Sequence, residues 1–143
     1  MTRPMLLLPL LLAACASGPV PLPPPDADVR PVVQKDNLDG RWTIAALNGR
    51  AISGMSVEFT GPSMRVALAC NGGAATITRN GDKLFLQQLA LTERGCEPER
   101  MQVDEQAAAV LRQPMTMELT PPDRLRLINA GGIIDLVRNE GAK

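Results

Sequence analysis

The stretch Leu68-Ala69-Cys70-Asn71-Gly72-Gly73 decides how this chain is read. Ahead of it, Met64, Val66 and Leu68 alternate with Arg65, Ala67 and Ala69, the period of a strand that buries one face. The alternation stops at Cys70, and Asn71, Gly72 and Gly73 supply residues that tolerate the positive φ of a turn. A thiol at a strand end invites a crosslink. Its partner by position is Cys96, in the loop Thr92-Glu93-Arg94-Gly95-Cys96 just before a predicted helix.

Outward from that stretch, short period-two segments recur between turn residues. Residues 41–47 place Trp42, Ile44 and Ala46 on one face, and Asn48-Gly49 then marks a hairpin. Residues 55–60 offer Met55, Val57 and Phe59 before Gly61-Pro62. Residues 74–78 turn at Asn80-Gly81-Asp82 into 84–88, a second clear hairpin. Tight turns join only antiparallel neighbours, so these strands form a meander.

Residues 98–112 break the pattern. Pro98 suits the first helical turn, Glu97 and Glu99 suit the positive end of a helix, Arg112 suits the other end, and Ala107-Ala108-Ala109 favours helix strongly. Val103, Ala107, Val110 and Leu111 fall on one face, with Asp104 intruding at its edge. Gln113-Pro114 ends the helix. Three more strands come after it at 115–119, 125–128 and 133–137, the last two joined through Asn129-Ala130-Gly131-Gly132. The expected fold is α+β: an antiparallel, barrel-like sheet of about eight short strands with one helix inserted after the fifth. One helix covers only part of such a sheet, so the sheet curls into a half-open or closed barrel.

The N-terminus is set apart from the fold. Residues 1–15 combine a basic start at Arg3, an apolar run over 5–12 and the small-residue site Leu12-Ala13-Ala14-Cys15. They resemble a bacterial lipoprotein signal peptide, which implies a lipid anchor on Cys15; several acyl chains make such attachment effectively permanent. Ala16 in place of an Asp favours the outer membrane, with the domain facing the periplasm. Residues 16–37 carry six prolines and few large apolar residues, a composition that favours extended polyproline II. They read as a tether that reaches up to roughly 60 Å at about 3.1 Å per residue, with a ligand for a proline-recognition module as the alternative. The domain spans 38–138, and 139–143 form a frayed tail.

Cysteine counting agrees with an oxidising compartment. Of three cysteines, assigning Cys15 to lipid leaves the even pair Cys70 and Cys96. A bridge between them closes a loop of about 26 residues, worth on the order of 3.5 kcal/mol by loop-closure entropy. The chain contains no His, and two such thiols do not make a zinc cage, so no metal or cofactor is expected.

Basic and acidic residues number 15 each, a balance that says little by itself; a nucleic-acid binder wants a basic stripe with stacking aromatics, and a chain with two Phe, one Trp and no Tyr offers neither. Acid–base chemistry most often uses His, and Ser53, Ser56 and Ser63 lack a nucleophile-elbow sequence, so no enzyme is expected.

The ordered set Gly40-x-Trp42, Val57-x-Phe59, Cys70-Asn71, Asn80-Gly81-Asp82-x-Leu84, Thr92-x-x-x-Cys96, Pro98-Glu99 and Leu125-x-Leu127 with Gly131 and Leu136 resembles the META domain, the HslJ-like family of bacterial envelope proteins. The resemblance covers roughly 38–138. It implies a barrel-like antiparallel sheet with a packed helix, no known catalytic activity and, in some members, an association with envelope stress. Members usually have Gly at the position of Ala69, and aromatics soon after Cys-Asn where this chain has Gly73 and Ala75.

Two functional expectations result. One is a non-catalytic, membrane-anchored envelope lipoprotein that meets envelope proteins through a sheet edge or through the loops bearing Asn71, Gly72, Gly73, Gly131 and Gly132; those loops are equally readable as plain hairpins. The other is a binding module for a lipid or other apolar ligand, with Met55, Met64, Met101, Met115 and Met117 lining a half-open barrel. Those methionines otherwise fill the core in place of aromatics.

Overall fold

The computed structural model describes residues 37–120 and 122–139; the expected leader, Cys15 and nearly all of the expected tether fall outside them, as do the last four residues. Ten elements run in chain order: β1 (Gly40–Leu47), β2 (Arg50–Ala51), β3 (Ser56–Thr60), β4 (Ser63–Ala67), β5 (Gly72–Asn80), β6 (Lys83–Leu91), α1 (Pro98–Leu111), β7 (Met115–Thr120), β8 (Arg124–Asn129) and β9 (Gly132–Arg138). Every pairing is antiparallel, and β1 pairs with β3 on one edge and β9 on the other. That pairing closes the barrel, so it is not half-open. β2 is a two-residue spur held to β1 at Ala46 and Leu47. Eight strands therefore form the wall, and the helix comes after the fifth of them.

Inward-facing residues match the alternation in most strands. Val57 and Phe59, Met64 and Val66, Leu125 and Leu127, and Ile134 and Leu136 are all buried; each such side chain contributes roughly 1.5–3 kcal/mol by leaving water. In β1 the expected face is Trp42, Ile44 and Ala46, but the buried set is Trp42, Ile44 and Leu47. A register shift against β9 between Ile44 and Ala46 is the cause: a bulge inserts one residue and reverses the facing of the residues after it. Of the methionines expected to line a ligand cavity, Met55, Met64, Met115 and Met117 are core residues. Only Met101, on the helix, remains partly exposed.

Trp42 is fully buried, and its Nε1 donates to the Leu38 carbonyl at 2.8 Å. The Arg138 guanidinium stacks 4.3 Å from the Trp42 ring centroid and donates to the backbone carbonyls of Asp39 and Asn37. The start and finish of the barrel are thus held by one arginine. Asn139, expected in a frayed tail, instead donates from its backbone to Arg41 and accepts from the Thr43 hydroxyl. On the outer wall Arg126 donates to Asp135 across β8 and β9, which raises the Arg126 pKa above its ordinary value; an exposed pair of this kind adds little stability.

The helix begins at Pro98, with Glu99 in its first turn and Arg112 at its C-cap. Ala107, Ala108, Val110 and Leu111 are buried. Its C-terminal carbonyls are received by the β8–β9 hairpin, where Asn129 Nδ2 donates to the Val110 carbonyl at 2.7 Å.

Candidate functional site

The strand through Met64 ends at Ala67, two residues earlier than its alternation suggests. Residues 68–71 then fold into a tight turn in which Leu68 N–H donates to the Asn71 carbonyl at 2.7 Å. This turn presents three successive backbone N–H groups to one side, an arrangement that suits an anion. The anion is Asp104, from the second turn of α1, only 5% exposed. Its carboxylate accepts from Ala69 N at 2.8 Å, Cys70 N at 3.2 Å and Asn71 N at 2.7 Å, and from Asn71 Nδ2 at 2.9 Å. A buried carboxylate is costly unless its oxygens are bonded; here they are.

Asn71 relays that arrangement outward. Its Oδ1 accepts from the Thr92 hydroxyl at 2.9 Å and from Arg94 N at 2.7 Å, and the Thr92 hydroxyl accepts from Gly72 N. Cys70 and Cys96 are joined in a disulfide with Cα atoms 6.3 Å apart. Arg100, beside Glu97, donates to the Ala69 carbonyl. The loop 92–97 is thus sewn to the turn 68–71 by one covalent bond and by the side chains of Asn71 and Thr92, with the helix bound beneath. The spacing Cys70-Asn71 and Thr92-x-x-x-Cys96 has this physical basis.

Gly72 and Gly73, expected in the turn, open β5, and a Cβ on Gly73 would collide with the Ala90 carbonyl of β6. Gly131 lies against the Ala109 carbonyl of α1, and Gly132 opens β9. Close internal approaches account for Gly73 and Gly131. Cys15 lies outside the described residues. Asp104 is the residue that sequence reasoning missed. Its signal was present as an acid set into an apolar helical stripe, a place where charge occurs only with partners.

Between β6 and α1 lies a groove of about 570 Å³, lined on the strand side by Leu89, Ala90 and Leu91 and on the helix side by Met101, Ala108 and Arg112. Asn71 and Asp104 also line it. The groove exists because β6 meets β7 only at Lys83 and Leu84. Among the described residues, 85–91 pair on one side alone, with β5. No group of three or more Cys, Asp or Glu side chains is placed to hold a metal ion among the described residues, and no helix there is long and apolar enough to cross a membrane.

Comparison with known proteins agrees with this architecture. An NMR structure of a protein from Burkholderia xenovorans is similar with a TM-score of 0.61 at 16% identity, covering 93% of this chain and 99% of that one. A second NMR structure has a TM-score of 0.61 at 18% identity, covering 69% and 88%. At such identities the likeness is one of fold. None of the curated proteins matches the chain. The family model of the META domain matches residues 35–141, which takes in every strand, the helix, the disulfide and the Asp104 turn. The chain belongs to the META domain family.

Proposed function

We propose that this protein is a non-catalytic, lipid-anchored lipoprotein of the cell envelope, held through Cys15 on the periplasmic face of the outer membrane, whose META domain acts by contact with other envelope proteins. The lipobox-like Leu12-Ala13-Ala14-Cys15 supports the anchor, and the proline-rich tether supports a domain that works at a distance from its lipid. The META family has no known enzymatic activity, and the chain has neither His nor Tyr for general acid–base work. A role in envelope stress fits a domain of this kind.

The observation that carries the contact reading is the one-sided pairing of 85–91 beside a groove. Sheet edges recruit polypeptide unless they are blunted. The apolar-ligand reading has less support, because the barrel is closed and four of the five methionines are packed in its core.

The test uses a photo-crosslinking amino acid placed in turn at Arg65, Thr76, Ala90 and Glu118, all exposed or partly so, in cells that make the full chain. The expected result is a defined envelope-protein adduct at one or more positions. It should weaken when Cys15→Ser blocks lipidation, with loss of fatty-acid label from the chain. Absence of a protein adduct at every position would overturn the contact reading.

A further inference from the structure

Resting on that contact reading, we propose that the groove between β6 and α1 binds an extended, uncharged segment of another polypeptide, which adds as a strand to the free edge of β6. Leu89, Ala90, Leu91 and Thr92 are consecutive, yet all four line the groove. Successive side chains of a strand point to opposite faces, so a surface bordered by consecutive residues is the edge of the strand rather than a face.

The backbone direction agrees. Thr92 N–H donates to the Gly72 carbonyl of β5 at 2.8 Å. Hydrogen-bonding groups alternate sides along an extended strand, so the N–H and C=O of Leu91 turn the other way, into the groove. A polypeptide backbone is the ligand whose chemistry matches an N–H and a C=O offered side by side at strand spacing.

The residues 85–91, Phe-Leu-Gln-Gln-Leu-Ala-Leu, include no charge and no proline, two of the devices that normally protect an edge. The irregularity at Gln88, φ 54, shifts the register between Ala74 and Thr76 of the β5 ladder and leaves 89–91 as the length along which a strand can add. Charge at the groove is balanced: its lining includes Glu93 and Glu105 against Arg94 and Arg112, while the Asp104 carboxylate is engaged by the turn amides. Leu68, Leu89, Met101 and Ala108 supply apolar surface. A neutral segment with apolar side chains on one face fits this lining, and a strongly acidic or basic one does not.

The decisive experiment uses the full chain in detergent and ten-residue peptides selected on it from a random displayed library. Each selected peptide is resynthesised with a single backbone N-methyl group at successive positions. Strand addition predicts a period-two pattern: at least tenfold weaker binding at alternate positions and less than threefold change at those between. Leu91→Pro, which removes the groove-facing N–H, should weaken binding tenfold or more, whereas Leu91→Ala, which keeps it, should weaken it less. The N-methyl series needs no protein variant and decides even if Leu91→Pro does not fold.

Failure to enrich any peptide, or N-methyl effects without the alternation, overturns the strand addition. So does a groove filled by a second copy of the chain, seen as a dimer in sedimentation that selected peptides split. Envelope adducts at Arg65, Thr76 or Glu118 but not at Ala90 would leave the contact reading standing and remove this one.

Discussion

The carboxylate of Asp104 accepts from both the backbone nitrogen of Asn71 at 2.7 Å and its Nδ2 at 2.9 Å. One helical acid therefore fixes both the path of the turn and the rotamer of the side chain that leaves it. Asp104→Ala strands four donors at once, those of Ala69, Cys70 and Asn71 and the Asn71 amide. An unsatisfied buried donor costs about 1–3 kcal/mol, and relaxation lets water reach some of them, so a loss of about 3 kcal/mol is expected. Asp104→Asn keeps one acceptor oxygen but turns an NH₂ toward other donors, for a loss of about 2 kcal/mol. Thermal unfolding should show both variants melting well below wild type, with Ala the lower; equal melting temperatures for wild type and Asp104→Ala would remove Asp104 from its structural place.

The disulfide ties the same turn covalently to the loop that carries Cys96. Reduction, or Cys70→Ser, should lower stability by about 2–3.5 kcal/mol, the loop-closure value less any native strain. Calorimetry of oxidised and reduced chain should give two melting temperatures, with Cys70→Ser and Cys96→Ser both matching the reduced one. Because Cys70 N also donates to Asp104, the Asp104→Ala and Cys70→Ser losses should fail to add, as expected for residues that share one network.

Local chemistry explains which parts of this arrangement were legible in the sequence. The turn at Asn80-Gly81-Asp82 and the start of the helix at Pro98 are written in residues with few other uses, and both appear where expected. Closure of the barrel by β1 and β9 is not written locally, since Trp42 and Arg138 are opposite ends of the domain. The bulge in β1 was equally hidden, because Ala45 and Ala46 are small enough to suit either face. Gly72 and Gly73 misled for a physical reason. Glycine serves turns and close backbone approach alike, and here Gly73 serves the second. Asp104 looked like a flaw in an amphipathic helix because its partners are backbone amides, which no sequence pattern marks.

Gly131 and Gly95 offer a controlled pair. A Cβ on Gly131 would run into the Ala109 carbonyl, whereas one on Gly95 meets nothing within 4 Å. Gly131→Ala must push the β8–β9 hairpin off the helix, a shift that costs about 1–3 kcal/mol and loosens the bond from Asn129 to Val110. Gly95→Ala should be neutral or stabilising by up to about 1 kcal/mol, through the entropy of the unfolded chain. Urea unfolding of the two variants side by side measures the difference; similar midpoints would contradict the close approach at Gly131.

The last prediction concerns the seam where the barrel closes. Trp42 is the single tryptophan, so its emission reports on the guanidinium stacked over it. Arg138→Ala removes a cation–π contact worth about 0.5–2 kcal/mol and two charge-assisted bonds to the carbonyls of Asp39 and Asn37. Water then reaches the ring edge, and the emission should shift to the red with a fall in stability of about 2–3 kcal/mol. Arg138→Met separates the two contributions. A methionine of similar reach still covers the ring, so the emission should stay close to wild type, but the carbonyls of Asn37 and Asp39 lose their donor. Arg138 Nε is buried without a hydrogen-bond partner among the described residues, so its removal offsets part of that loss, and Arg138→Met should be the more stable of the two variants. An Arg138→Ala protein with unshifted emission would mean that the guanidinium does not shield Trp42, and that burial of the ring depends on Leu38 and the strands alone.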